Sequence, residues 1–334
     1  TYNEVYGTLV TPTRLGYTFE GWYTQAEGGE EVKSTDIVKT AEDITLYAHW
    51  KIIVSNLTVN PNGGSWNGSE QSQVFEIEYN ETKEIPVPTR EGYTFVNWIL
   101  TGANSSMSTI TENATFTMGT EDATLTAEWK INSYNITLDA NGGTIGETTY
   151  KRNYNETLGT IEEPTRTGYT FKGWYEDIND ESTKVELSTK ITKDMNLTAK
   201  WEANPVDLTI DYNDGITANK IVNSKFEAEN KIQIPTREGY TFKGWNLTKG
   251  NSQVNTSLVE ETVVIMGTED TTITAKWEAN KYVITLDANG GNLTATTKEV
   301  TYNEVYGTFE TPTRLGYTFE GWYTKAEGGE EVKS

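Results

Sequence analysis

Pro12-Thr13-Arg14-Leu15-Gly16-Tyr17-Thr18-Phe19-Glu20-Gly21-Trp22 decides the fold, because the stretch occurs five times. It returns at residues 88–98, 164–174, 235–245 and 312–322, with Pro, Thr, Arg, Gly, Tyr, Thr, Phe and Trp in the same relative places. Arg14, Arg90, Arg166, Arg237 and Arg314 are therefore spaced by 76, 76, 71 and 77 residues. A period this long exceeds the turn of a solenoid and suits a small domain. The chain is read as a tandem array of small modules.

Within the stretch, proline fixes φ and removes a donor, which suits a strand entry or an edge. The glycine before tyrosine (Gly16, Gly92, Gly168, Gly239, Gly316) suits a tight turn or a bulge. Tyr17 and Phe19 then share one strand face, with Thr18 and Glu20 on the other. Strict alternation would put Trp22 opposite Phe19; a bulge at Gly21 returns it to the core. Asn97 replaces that glycine in the second repeat.

Each repeat closes on a second tryptophan. Thr45-Leu46-Tyr47-Ala48-His49-Trp50 alternates, with Leu46, Ala48 and Trp50 on one face, and recurs at 124–129, 196–201 and 271–277. The predicted core is Tyr17, Phe19, Trp22 and Trp50, with Tyr93, Phe95, Trp98 and Trp129 in the second repeat. It continues with Tyr169, Phe171, Trp174 and Trp201, then Tyr240, Phe242, Trp245 and Trp277, then Tyr317, Phe319 and Trp322. Two tryptophans, each burying roughly 150–250 Å², supply much of the core of so small a module.

The opening of a repeat is clearest at Tyr134-Asn135-Ile136-Thr137-Leu138-Asp139-Ala140, which alternates and then meets Asn141-Gly142-Gly143. Asn-Gly is the strongest hairpin signal, because both turn positions need positive φ. Its equivalents are at 62–64, 213–215 and 289–291. A polar, strand-like segment follows, then Tyr154-Asn155-Glu156, matched by Tyr2-Asn3-Glu4, Tyr79-Asn80-Glu81 and Tyr302-Asn303-Glu304. No long 3.6-residue period appears, so any helix is short.

The boundaries predicted are 1–50, the C-terminal part of a truncated repeat; 51–129; 130–201; 202–277; and 278–334, the N-terminal part of another. Repeats one, three and five carry Gly-Trp-Tyr and an acidic stretch such as Glu27-Gly28-Gly29-Glu30-Glu31. Repeats two and four carry a Thr-rich insert and Met118-Gly119-Thr120-Glu121-Asp122 or Met266-Gly267-Thr268-Glu269-Asp270. The joints are short and not Gly/Ser-rich, so an elongated, semi-rigid rod is expected. Residues 1–34 and 301–334 differ only at Leu9/Phe309, Val10/Glu310 and Gln25/Lys325, which suggests a window cut from a longer array.

Taken together, the Asp-Ala-Asn-Gly-Gly turn, the signature stretch and the closing Leu-Thr-Ala-Lys-Trp resemble the Listeria–Bacteroides repeat, the internalin-type B repeat. The resemblance covers essentially the whole chain. It implies a mainly β, α+β, β-grasp-like module on secreted, wall-associated or surface-displayed prokaryotic proteins. Members act as spacers, adhesive stalks or partner-binding segments, with no catalytic residues to carry over. Repeats two and four depart from the pattern with Asn-Trp-Ile and Gly-Trp-Asn, so a ligand surface shared with the other type does not follow.

Composition narrows the function. With 49 acidic against 27 basic residues and a net charge of −22, nucleic acid and anionic lipid are repelled. There is no cysteine, so disulfides and thiolate metal sites are excluded. No apolar run is long enough to insert in a membrane, and no signal-peptide pattern opens the chain.

An enzyme needs a unique constellation, yet nearly every notable residue here is repeated. His49, the single histidine, sits where Glu128, Lys200 and Lys276 stand elsewhere, and reads as an exposed strand residue. Asp139-Ala140-Asn141-Gly142-Gly143 has the look of a calcium loop start but lacks its third ligand position and distal glutamate. No catalytic residue, metal site or cofactor is assigned.

Eleven Asn-x-Ser/Thr sequons mark candidate glycosylation at Asn56, Asn67, Asn80, Asn104, Asn113, Asn135, Asn155, Asn196, Asn246, Asn255 and Asn292. Two functional readings follow. One is a stalk or filament segment of a prokaryotic cell-surface adhesin, whose partners are its own repeats and neighbouring chains in a fibre. The other is a binding array in which weak sites for glycans or host proteins gain avidity, with Tyr23, Tyr175 and Tyr323 as candidate contacts.

Overall fold

The computed structural model describes residues 1–102, 104–258 and 260–333. Strand accounts for 47% of the chain and helix for 1%, so the repeats are β modules arranged as several small sheets, with no closed barrel among the described residues. Helix is confined, among the described residues, to one 3-10 turn, Glu181–Thr183, capped by the Asp180 carboxylate on the Ser182 amide. The chain divides into two compact units, and the division passes through repeat three.

The first unit comprises Thr1–Thr137, Thr149–Ile161 and Glu186–Asn196. In repeat one the signature strand Tyr17–Tyr23 lies between Glu31–Val32 and the closing strand Tyr47–Ile52, all antiparallel. Repeat two shows the whole plan. Its four-stranded sheet runs in the order Gln73–Glu78, Val54–Asn60, Ala123–Ile131, Tyr93–Thr101. The opening strand Val54–Asn60 pairs antiparallel with Gln73–Glu78 and parallel with the closing strand Ala123–Ile131. Parallel pairing of the first and last strands of a module is the β-grasp arrangement.

The Thr-rich insert completes a second sheet. Thr82–Ile85, Ala114–Thr117 and Ser106–Met107 pair antiparallel around the central strand. Ala114, Phe116 and Met118 alternate inward and are almost fully buried. Phe116 and Met118 join Leu57, Val59, Trp66, Ile85, Trp98 and Leu125 in one core, with Phe95 and Trp129 packed at its margin.

The second unit comprises Leu138–Thr148, Glu162–Val185 and the chain from Leu197 onward. Its part of repeat three pairs the signature strand Tyr169–Tyr175 with Met195–Ala203 and Lys184–Val185. Repeat four repeats the plan of repeat two, in the order Lys220–Lys225, Pro205–Asp211, Thr271–Ala279, Tyr240–Lys249. Its insert again forms a three-stranded sheet, and its core gathers Leu208, Ile210, Trp245, Val264, Met266 and Ile273. The hairpin Lys281–Thr285 with Thr297–Thr301 opens repeat five.

Three local expectations meet the structure. The register of Tyr17–Tyr23 shifts between Phe19 and Gly21, so Trp22 comes opposite Ala48 on the core side; Gly173 and Gly244 mark the same shift. In repeat two, where Asn97 stands at the glycine position, the same shift is kept: Phe95 pairs with Trp129 and Asn97 with Glu128, so Val96 is the extra residue of the signature strand. The Asn-Gly turns are tight, with Asn62 and Gly63 at φ 48° and 80°. They do not, however, lead straight into the antiparallel partner. Ser65 instead exchanges backbone hydrogen bonds with Thr89 of the signature stretch, and the partner strand starts only at Gln73. Replacing the fully buried Leu125 by alanine should cost about 2–5 kcal/mol in urea unfolding.

Candidate functional site

The signature stretch divides its labour by position. Phe and Trp serve the core: Phe95 meets Trp98 and Trp129 edge-on, with ring centroids 5.6 and 5.7 Å apart. Repeats one, three and four carry the same triad, as Phe19 with Trp22 and Trp50, Phe171 with Trp174 and Trp201, and Phe242 with Trp245 and Trp277. Trp98, Trp174 and Trp245 are almost fully buried, and the closing tryptophans are partly so. Each closing indole of repeats two to four donates to a carbonyl beside the Asn-Gly turn: Trp129 to Pro61, Trp201 to Ala140, Trp277 to Tyr212. In repeat five Phe319 meets Trp322 edge-on but remains 38% exposed, and Tyr317 is 68% exposed.

The tyrosines belong elsewhere. Tyr17, Tyr93, Tyr169 and Tyr240 are half-buried. Tyr93 and Tyr240 are absent from the core clusters of their repeats, which corrects the expectation that they pack inside. Each is covered by the arginine three residues earlier, whose guanidinium carbon lies 3.8–3.9 Å from the ring centroid. These arginines do not pair with carboxylates among the described residues. Arg90, Arg166 and Arg237 donate to the carbonyls of Asn62, Asn141 and Asn213, so the signature holds the turn of its own repeat.

The other side of these tyrosines faces the next repeat. One residue separates each closing strand from the following opening strand: Ile53, Asn132, Asn204 or Asn280. Its N–H donates at 2.8–2.9 Å to the carbonyl of the preceding signature glycine, Gly16, Gly92, Gly168 or Gly239. Its carbonyl accepts at 2.8–2.9 Å from the N–H of Tyr79, Tyr154, Phe226 or Tyr302 in the next repeat. Thr94, Thr170 and Thr241 add hydroxyl bonds of 2.6 Å to the three asparagines.

The aromatic ring then fills the place where a side chain would sit. A Cβ on Gly16 or Gly92 would lie 1.9 Å from the ring of Tyr79 or Tyr154, and one on Gly168 or Gly239 would lie 2.3 Å from Phe226 or Tyr302. All four glycines have φ between 73° and 80°, a left-handed conformation that itself favours glycine. Repeat four varies the chemistry while keeping the fit. Phe226 lacks a hydroxyl, and Glu227 replaces the asparagine found in the other repeats. Tyr169 donates its own hydroxyl to Glu227 at 2.6 Å, which helps offset the cost of holding a glutamate at φ 62°. At the preceding joint the bond runs the other way, and Glu91 beside the Tyr154 hydroxyl pushes that phenol up from its ordinary pKa.

The remaining candidates are quickly placed. Tyr175 is buried, donates to Glu181, and has its pKa raised by that burial and by Glu181, so it is not displayed with Tyr23 and the exposed Tyr323. Tyr23 stacks on His49 at 3.8 Å, and the imidazole Nε2 lies 2.9 Å from the Gln25 carbonyl, so His49 is engaged rather than free. Asp139 accepts from the Asn141 amide inside its own turn. Among the described residues no group of three or more His, Cys, Asp or Glu side chains is arranged to hold a metal ion. All eleven sequon asparagines are exposed.

Such an array, built from small cysteine-free β modules locked at single-residue joints, is a tandem repeat protein. The chain belongs to the Listeria-Bacteroides repeat domain family, whose model matches residues 1–49, 134–200, 208–276 and 282–334. Residues 55–133 match the divergent InlB B-repeat domain. Repeats of this kind are typical of bacterial surface proteins.

Two proteins of Evansella cellulosilytica are similar to it. One, named as a Gly-rich membrane protein, is 31% identical over 93% of this chain and 36% of its own length. The other, named as a membrane protein, is 31% identical over 80% of this chain and 40% of its own. Internalin H of Listeria monocytogenes is 37% identical over 35% of this chain and 22% of its own. The chain thus spans less than half the length of each of these relatives. No helix among the described residues is long and apolar enough to cross a membrane.

Two measurements follow. Gly92→Ala should cost more than the roughly 1–3 kcal/mol of a strained φ, because the methyl meets the Tyr154 ring. In a Tyr154→Ala background the excess should vanish, and a double-mutant cycle by urea unfolding reads the coupling. Separately, the Thr217 hydroxyl, aided by the Thr217 and Ile216 amides and by Arg237, lowers the Asp214 carboxyl from 3.8 to about 2. A lowered pKa stabilises the fold above the unfolded value and loses that contribution as pH falls toward the folded one. Between pH 4 and 2 the unfolding midpoint should therefore drop, and D214N should flatten that part of the curve.

Proposed function

We propose that this chain is a stalk segment of a bacterial surface protein, a series of spacers that holds other parts of the protein away from the cell. The observation that carries the reading is the joint. The same one-residue connection, with both backbone groups bonded and a ring seated on glycine, recurs four times. A spacer needs reproducible, stiff connections, and a loose linker would leave those groups to water. Family membership and the names of the similar proteins, membrane proteins and an internalin, support a surface setting. The charge of −22 keeps a crowded array soluble and self-repelling.

The binding-array reading draws less support, because its repeated aromatic is buried at Tyr175 and stacked on His49 at Tyr23. Small-angle scattering tests the spacer reading directly. Under that reading, repeats of about 30 Å predict a longest dimension well above 100 Å, against about 50 Å for a single compact globule of this chain length. A compact particle, or saturable binding of the chain on a glycan or host-protein array, would overturn it.

A further inference from the structure

In repeats two and four the opening and closing strands run side by side in the same direction. Residues 57–60 pair with 123–126, and residues 208–211 pair with 271–274. Side chains carry this ladder past its backbone rungs at both ends. At the start, Asp122 accepts the Asn56 N–H at 2.7 Å, and Asp270 accepts the Asp207 N–H at 3.0 Å. At the far end, Asn62 donates to the Ala127 carbonyl at 3.0 Å, and Asn213 to Ala275 at 3.1 Å. The closing indoles Trp129 and Trp277 add bonds of 3.0 and 2.8 Å to Pro61 and Tyr212. In repeat three, Asn135 with Asp194, Asn141 with Ala199, and Trp201 with Ala140 make the corresponding three bonds.

The direction of these strands fixes how the ladder meets a pull. The chain enters repeat two at Val54 and leaves at Ile131. Parallel strands place those two points at opposite ends of the ladder. Tension along the chain therefore slides one strand against the other and loads every rung together. Were the strands antiparallel, entry and exit would share one end, and the rungs would open singly. The bonded joint residue Asn132 passes the load straight from one closing strand into the next opening strand.

We infer that this parallel pair, lengthened by its Asp, Asn and Trp side chains, is a mechanical clamp, and that the repeats are built to bear tension along the chain. The stalk reading supplies the source of tension; the clamp is a property of the fold and stands or falls separately. Forced unfolding is governed by the unfolding rate, so the relevant quantity is rupture force and not equilibrium stability.

The chain has no cysteine, so introduced pairs give unique handles for single-molecule pulling on the otherwise unaltered protein. Val54→Cys with Lys130→Cys pulls along the ladder, and Val54→Cys with Glu121→Cys peels it from one end. The 54/130 direction should rupture at several-fold higher force than the 54/121 direction. Asn62→Gly keeps the left-handed turn and removes only the far side-chain bond, so it should lower the 54/130 force and spare the 54/121 force. Equal forces in the two directions would overturn the clamp. That result would leave the spacer reading intact, since a spacer need not resist load, whereas a compact scattering particle would remove the stalk and leave the clamp.

Discussion

A ring resting on a glycine is the constraint from which the array takes its form. The signature glycine turns left-handed so that the chain can reverse into its strand, and the same lack of a side chain opens a seat for the next repeat's aromatic. One residue type thus satisfies a local backbone demand and a contact between modules. Around it, the joint residue has its N–H and its carbonyl bonded to different repeats. Arginine covers the outer face of the signature tyrosine and reaches back to the Asn-Gly turn. Turn, signature strand and joint are therefore one connected piece of structure, repeated.

Much of this was legible in the sequence, and the part that was not has physical causes. The two tryptophans, the phenylalanine and the glycine bulge follow from alternation and the need to bury rings, and Phe95, Trp98 and Trp129 lie where that logic puts them. The signature tyrosine looks like its phenylalanine neighbour by period alone. Its partner comes from another repeat, however, and strand alternation holds no information about contacts between modules. Phe226-Glu227 differs in both residue types from its equivalent, Tyr154-Asn155. Only the shared contacts with Gly168 and Asn204 reveal the match.

Two further features were hidden for related reasons. Arginines among many carboxylates suggest ion pairs, yet a planar guanidinium over an aromatic ring also satisfies charge without desolvating a carboxylate. The Thr-rich insert of repeats two and four shows no clear strand pattern, while Ala114, Phe116 and Met118 alternate just enough to build a second sheet. Short strands with small residues leave a weak periodic signal, and their partners lie tens of residues away.

The single-residue joint also bears on how such an array changes over time. Because that residue is bonded on both sides, an inserted or deleted residue there would break the link and rotate one module out of phase with the next. Length variation is confined to the loops inside repeats, which is where spacings of 71 to 77 residues differ. The reach of the whole chain can then grow or shrink only by entire repeats. Unequal recombination between near-identical segments, such as residues 1–34 and 301–334, supplies that kind of step. A joint that fixes geometry within one molecule thus makes length a counted quantity across generations.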